Sequence, residues 1–185
     1  MGILIQDSFT DADGTLLKNH ESEIGGLWLP TSGSRDGFIY NNAAEKSDNK
    51  HSKQSVSFDT YAQAVLSASY NDSGFYLFIN DTGSFPETDM LEINVYFNEI
   101  YLNGILLAGV SFISGLLYKI IRVGADVFAY KGGVLIGSVA SRGLGYSFGI
   151  SVNSAVDHGA NIDNYEAGEE VVAPYVDHLM MMGVH

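Results

Sequence analysis

Along the 185-residue chain, no stretch of a dozen residues carries an apolar stripe at helical spacing. Instead, short runs rich in β-branched and aromatic residues recur between clusters of Gly, Asn, Asp and Ser. Side chains alternate across a strand, so such runs can hide one face only by packing sheet on sheet. The candidate strands are 4–10, 26–29, 37–41, 54–58, 62–70, 75–80, 91–97, 101–107, 117–123, 127–130, 134–139, 146–152 and 161–167. Many short strands separated by turns suit two packed antiparallel sheets, so the expected class is an all-β sandwich. The clearest hairpin is Val127-Phe-Ala-Tyr-Lys-Gly-Gly-Val134, where Gly132 and Gly133 supply the positive-φ backbone of a tight primed turn.

With 46% hydrophobic residues the chain can bury one sizeable core, and the economical reading is one domain over residues 1–168 followed by a tail at 169–185. The absence of cysteine rules out disulfides, thiolate metal sites and a cysteine nucleophile. A net charge of −13 with nine basic residues argues against nucleic acid, whose phosphates are held mainly by Lys and Arg. The most apolar run, residues 105–118, is shorter than the roughly 20 residues that span a bilayer. It contains Ser111, Ser114 and two glycines, and reads as two buried strands joined by a turn, with no membrane partner. The opening Met-Gly-Ile-Leu-Ile-Gln lacks a basic leader and runs directly into a strand pattern, so a secretory signal is not expected here. Residues 43–53 are polar and nearly free of large apolar groups, the pattern of an exposed loop.

Two end segments carry a family resemblance. The front holds Asp7-Ser-Phe-Thr-Asp-Ala-Asp-Gly-Thr-Leu-Leu17, then His20 and Gly25-Gly-Leu-Trp28. The back holds Tyr118-Lys-Ile-Ile-Arg-Val-Gly, Val127-Phe-Ala-Tyr-Lys-Gly-Gly and Ile162-Asp-Asn-Tyr-Glu-Ala-Gly168. Together they resemble the opening and closing strands of the concanavalin A-like, laminin G-like jelly rolls. The resemblance covers about residues 5–168 and is looser between 35 and 110. It implies a two-sheet antiparallel jelly roll in which Trp28 belongs to the fold.

Pro86-Glu-Thr-Asp-Met-Leu-Glu92 matches the Glu-x-Asp-x-x-Glu pattern of jelly-roll glycoside hydrolases in the same superfamily. There one outer glutamate attacks the sugar and the other protonates the leaving oxygen, with the two carboxyls about 5 Å apart. Bringing Glu92 to the face of Glu87 and Asp89 requires a β-bulge. The match departs from the pattern at Thr88, and no tryptophan flanks it as a sugar platform. The run Leu91-Glu-Ile-Asn-Val-Tyr-Phe97 also reads as a structural strand, with Leu91, Ile93, Val95 and Phe97 inward and Glu92, Asn94 and Tyr96 outward. The five histidines show no metal spacing, and Gly143-Leu-Gly145 precedes a strand rather than a phosphate-holding helix. No cofactor is expected. Calcium is the one conceivable ion, with Asp7, Asp163 and Asn164 as hard oxygen ligands. Eleven tyrosines and ten phenylalanines offer material for a glycan platform, among them Tyr40, Tyr61, Tyr70, Tyr76, Tyr96, Tyr101 and Tyr165.

After Gly168 the character changes to an apolar tail whose Tyr175, Val176, Leu179, Met180, Met181 and Met182 are candidate interface residues. The resemblance and the tail imply a non-catalytic bacteriophage virion protein, a head-decoration, fibre or tail-associated component. It would be localised to the virion and pair with virion proteins or with itself. The alternatives are a carbohydrate-binding module, which requires a row of exposed aromatics on one sheet or loop rim, and a glycosidase using Glu87 and Glu92.

Overall fold

The computed structural model describes residues 2–30, 36–46, 48–57, 59–82, 87–156 and 158–170. The strands in chain order are β1 (Gly2–Asp7), β2 (Trp28–Pro30), β3 (Phe38–Tyr40), β4 (Ala43–Glu45), β5 (Asp48–Gln54), β6 (Thr60–Ala68), β7 (Ser73–Asp81) and β8 (Asp89–Asn94). They continue with β9 (Glu99–Leu102), β10 (Ile105–Leu106), β11 (Leu116–Val123), β12 (Asp126–Lys131), β13 (Val134–Ala140), β14 (Ser147–Ser154) and β15 (Ala160–Glu169). One sheet has the order β13-β12-β11-β6-β15-β4-β3, with β1 also paired to β15; the other runs β10-β9-β8-β7-β14-β5-β2. β6 and β7 follow each other in sequence yet lie in different sheets, as do β14 and β15, so the chain winds around the core as an antiparallel jelly roll. A single 3-10 turn, Leu17–Asn19, is the one helical element among the described residues, and no described helix is long and apolar enough to cross a membrane.

Period-two patterning builds the core. Phe75, Leu77 and Ile79 of β7, Leu91 and Ile93 of β8, and Phe148, Ile150 and Val152 of β14 are buried. Facing them are Ala62, Ala64 and Leu66 of β6, Tyr118 and Ile120 of β11, and Ile162, Tyr165 and Ala167 of β15. Each fully buried large side chain contributes about 1.5–3 kcal/mol relative to exposure. Ile162 and Tyr165 both point inward although three residues apart. A bulge between Asp163 and Glu166, with Asn164 at φ 50°, absorbs the odd residue.

Four segments differ from the sequence expectation, the first being the expected strand 54–58, in which Gln54 ends β5 and residues 55–57 are in no strand. Residues 43–53 are not an exposed loop: β4 is buried throughout, and β5 pairs with both β14 and β2, burying Asn49 and His51. Their inward side chains are polar but hydrogen-bonded, so the apolar alternation that marks a strand is missing. Asn49 Oδ1 accepts the Gly37 amide at 3.2 Å, and Glu45 Oε2 accepts the His158 amide at 3.1 Å and lies 2.8 Å from its Nδ1. Residues 105–118 are not two buried strands. β10 is a two-residue exposed edge, and the loop after it closes one end of the sandwich with Leu107, Val110 and Phe112 against the core. The expected strand 101–107 is a hairpin, because Asn103 and Gly104 both adopt positive φ in the Asn-Gly turn between β9 and β10. β15 runs to Glu169, whose Oε1 accepts the Val56 amide and the Ser55 hydroxyl, each at 2.9 Å. Met180 to Met182 and the other tail candidates lie outside the described residues.

Candidate functional site

The front signature forms a lock around Trp28. Asp7 ends β1 pointing into the core and accepts three hydrogen bonds. They come from Trp28 Nε1 at 2.5 Å, the Phe9 amide at 2.7 Å and His20 Nε2 at 2.8 Å. His51 meets the Trp28 ring edge-on at 5.0 Å, and Tyr165 does so at 5.2 Å. The Lys53 amide donates to His51 Nδ1 at 3.0 Å, so the ring proton sits on Nε2, directed at Ser22 Oγ 2.8 Å away. Burial lowers the pKa of His51 to about 4, whereas the hydrogen bond to Asp7 raises that of His20. The polar groups of Asp7, His20, Ser22, Trp28 and His51 are engaged in holding this lock together, whereas the buried Tyr165 hydroxyl has no hydrogen-bond partner among the described residues.

The three oxygen residues suggested for calcium do not meet in one cradle. Asp7 faces the interior with its carboxylate occupied. Asp163 alternates with inward Ile162, so it faces the other side of the sheet, and its Oδ1 accepts the Asn164 amide at 2.6 Å. Among the described residues no cluster of three His, Asp or Glu side chains could hold a metal ion.

The Glu87 to Glu92 segment is also divided. The β7–β8 register is unbroken from Ile79 opposite Asp89 to Gly74 opposite Asn94, so the required bulge is absent from β8. Asp89 consequently points inward with Leu91 and Ile93. It accepts from Asn103 Nδ2 at 2.9 Å, the Arg142 amide at 2.8 Å and Ser141 Oγ at 2.6 Å. Its carboxylate ties the 141–145 strap to the sheet. Glu87 is exposed before the strand begins, and Glu92 faces outward as its alternation requires. The expected inward turn of Phe97 does not occur, because β8 ends at Asn94 and both Tyr96 and Phe97 stay exposed, at 66% and 64%.

Outward from the same strands lies a different arrangement. Tyr76 of β7 pairs with Glu92 of β8, which pairs with Tyr101 of β9, giving one row across three strands. The Tyr76 hydroxyl donates to Glu92 Oε1 at 3.2 Å, and the Tyr101 hydroxyl donates to Glu99 Oε2 at 2.5 Å. Phe78, one row along, lies parallel to the Tyr76 ring at 6.0 Å. Burial, reinforced by Glu92, raises the pKa of Tyr76; the hydrogen bond to Glu99 raises that of Tyr101. Both phenols therefore remain donors at neutral pH.

This face runs into the rim of the sandwich. There the β6–β7 and β8–β9 turns enclose a recess of about 510 Å³ lined by Tyr70, Asp72, Asn94, Tyr96 and Phe97. Hydrogen bonds hold the two turns: Ser73 Oγ donates to the Tyr70 carbonyl at 2.8 Å, and Asn94 Oδ1 accepts the Phe97 amide at 3.2 Å. The Asp72 carboxylate has no hydrogen-bond or ion-pair partner among the described residues. A second depression, about 380 Å³ on the opposite sheet, is lined by Gln63, Leu117, Lys119 and Glu170 among others. Its charges are engaged, since Lys119 lies 3.8 Å from Glu170 and 4.6 Å over the Tyr61 ring. The sequence singled out Tyr70, Tyr76, Tyr96, Tyr101 and Glu92 individually; what it lacked was Asp72, Phe78 and Glu99. The strand registers, which a sequence does not state, bring them together.

No known family's sequence profile matches the chain, and no curated protein matches it in sequence. Solved structures do. A structure reported with endo-acting O-glycanases of the human gut microbiota superposes with TM-score 0.55 at 9% identity, covering 90% of this chain and 98% of that one. A Bacillus subtilis protein of unknown function with a galectin-like fold gives 0.54 at 12%, covering 91% and 96%. A Bacillus licheniformis β-glucanase gives 0.53 at 10%, covering 92% and 99%. At these identities the likeness establishes the fold.

Proposed function

We propose that this chain, a jelly roll of concanavalin A-like fold, binds carbohydrate on the outer face of β7, β8 and β9 and at the adjoining rim, without cleaving it. The observation that carries this reading is the continuity of the Tyr76–Glu92–Tyr101 row with the rim recess holding Tyr70, Asp72, Tyr96 and Phe97. Sugar rings offer an apolar C–H face that stacks on aromatic rings, and hydroxyls that hydrogen-bond to carboxylates and amides at its edge. Tyr70, Tyr96 and Phe97 are exposed at the loop rim and support this reading, while Tyr76 and Tyr101 of the row are half-buried. Fold likeness to glycan-associated structures agrees with it but does not carry it, because one sandwich hosts many functions.

The absence of cleavage is supported by the inward turn of Asp89, which separates it from Glu92 across the sheet. The virion reading draws on the sequence resemblance and on a tail outside the described residues, and the names of the similar structures given above do not mention a virion. A broad glycan array should give signals that Tyr96→Ala and Tyr76→Ala each weaken by about tenfold, the loss of one stacking platform. An array without signal would remove the proposal. Glu92→Gln should alter binding but reveal no hydrolytic step, checked by reducing-sugar release; release by the wild type that Glu92→Gln abolishes would make this an enzyme.

A further inference from the structure

The charge on the proposed binding face is one-sided. Outward positions of β7, β8 and β9 hold three rings, Tyr76, Phe78 and Tyr101, and two carboxylates, Glu92 and Glu99, with no lysine or arginine among them. The rim recess adds Asp72 and again no cation. The three acids fall on successive levels of the surface: Glu92 in the row of Tyr76, Glu99 opposite Asn94 one row on, and Asp72 at the rim beyond. Rows on one face are about 7 Å apart, so an extended ligand crossing from sheet to rim meets a carboxylate at every step. Glu92 and Glu99 each accept one phenol, which leaves most of their lone pairs for a ligand. Aromatic rings also attract cations through their negative faces, which the neighbouring carboxylates reinforce.

Resting on the carbohydrate-binding reading, we propose that the ligand is a chain of amino sugars whose free amines are protonated. Ring faces stack on Tyr76, Tyr96 and Phe97 while ammonium groups pair with Asp72, Glu92 and Glu99. A neutral glycan keeps the stacking but loses the ion pairs. A uronate or sulfated glycan meets three like charges on a chain of net charge −13.

The test is calorimetric titration of the full chain at low salt with three probes: a glucosamine hexamer, its fully N-acetylated counterpart and a galacturonate hexamer. The glucosamine hexamer should bind about tenfold more tightly than the acetylated one, with the advantage shrinking as salt is added. The galacturonate should not bind. In an Asp72→Asn, Glu92→Gln double variant, confirmed as folded by circular dichroism, both hexamers should bind more weakly and the preference for the glucosamine hexamer should fall to within about threefold. Equal or tighter binding of the acetylated or galacturonate hexamer, or a preference that survives the double variant, overturns the amino-sugar assignment and leaves carbohydrate binding standing. Binding of none of the three also overturns it, and silence on the glycan array as well removes both readings.

Discussion

His51 packs on Trp28 and His20 on Phe9, and the two respond to acid in opposite directions. The pKa of His51 falls from 6.5 to about 4 in the fold, so between those values the unfolded chain holds the proton more often. Stability from this group is therefore complete above about pH 6.5 and is lost as pH falls toward 4, by roughly 3 kcal/mol in total. The His20 pKa is raised by Asp7, so its contribution is complete below 6.5 and is lost as pH rises through its folded value. Urea midpoints between pH 4 and 8 should show a flatter acid limb in His51→Gln and a flatter alkaline limb in His20→Gln. Unchanged limbs would contradict the network. Trp28→Phe keeps the ring but leaves Asp7 Oδ2 without its donor in the core, and should cost about 2–3 kcal/mol by denaturant titration. Much of this lock was visible in Asp7, His20 and Trp28 as a motif. Ser22 and His51 were not, because their partners lie far along the chain and a lone polar residue carries no sign of being buried.

Among the elements, alternation marked the inner strands well, because β7, β8, β14 and β6 bury apolar residues at every second position. It failed for β4 and β5, where Glu45, Asn49 and His51 take the inward places and are satisfied by hydrogen bonds instead of apolar contact. The Asn103-Gly104 turn was legible in principle, since Asn-Gly between apolar residues is the strongest short hairpin signal. The glycines of the 143–145 strap have a different task. A Cβ at Gly145 would sit 2.2 Å from the Asp81 carbonyl oxygen, a backbone atom that cannot swing away. Gly145→Ala should lower stability by about 3 kcal/mol or more, read as a fall in thermal midpoint, and a neutral result would show that the strap can lift off β7.

For the molecule as a whole, β15 closes the sandwich at Glu169, and Glu170 still bonds back through its amide to the Asp59 carbonyl at 2.8 Å. A chain ending at residue 170 should thus keep a single cooperative unfolding transition. If Tyr175, Val176, Leu179, Met180, Met181 and Met182 form an assembly surface, the truncated chain elutes as a monomer where the full chain elutes as a larger species. Identical elution of the two would dispose of that interface. The sequence by itself determined that the chain is all-β, that its ends resemble the opening and closing strands of one jelly roll, and that Leu91 and Ile93 pack inside their strand. These follow from local alternation and short-range motifs. Only the tertiary structure decided that Asp89 turns inward to hold the strap while Glu92 turns outward to join Tyr76 and Tyr101. The reason is register: which residues meet across neighbouring strands depends on pairings between distant segments and on whether a bulge intervenes, and neither is written in the residues of a single strand.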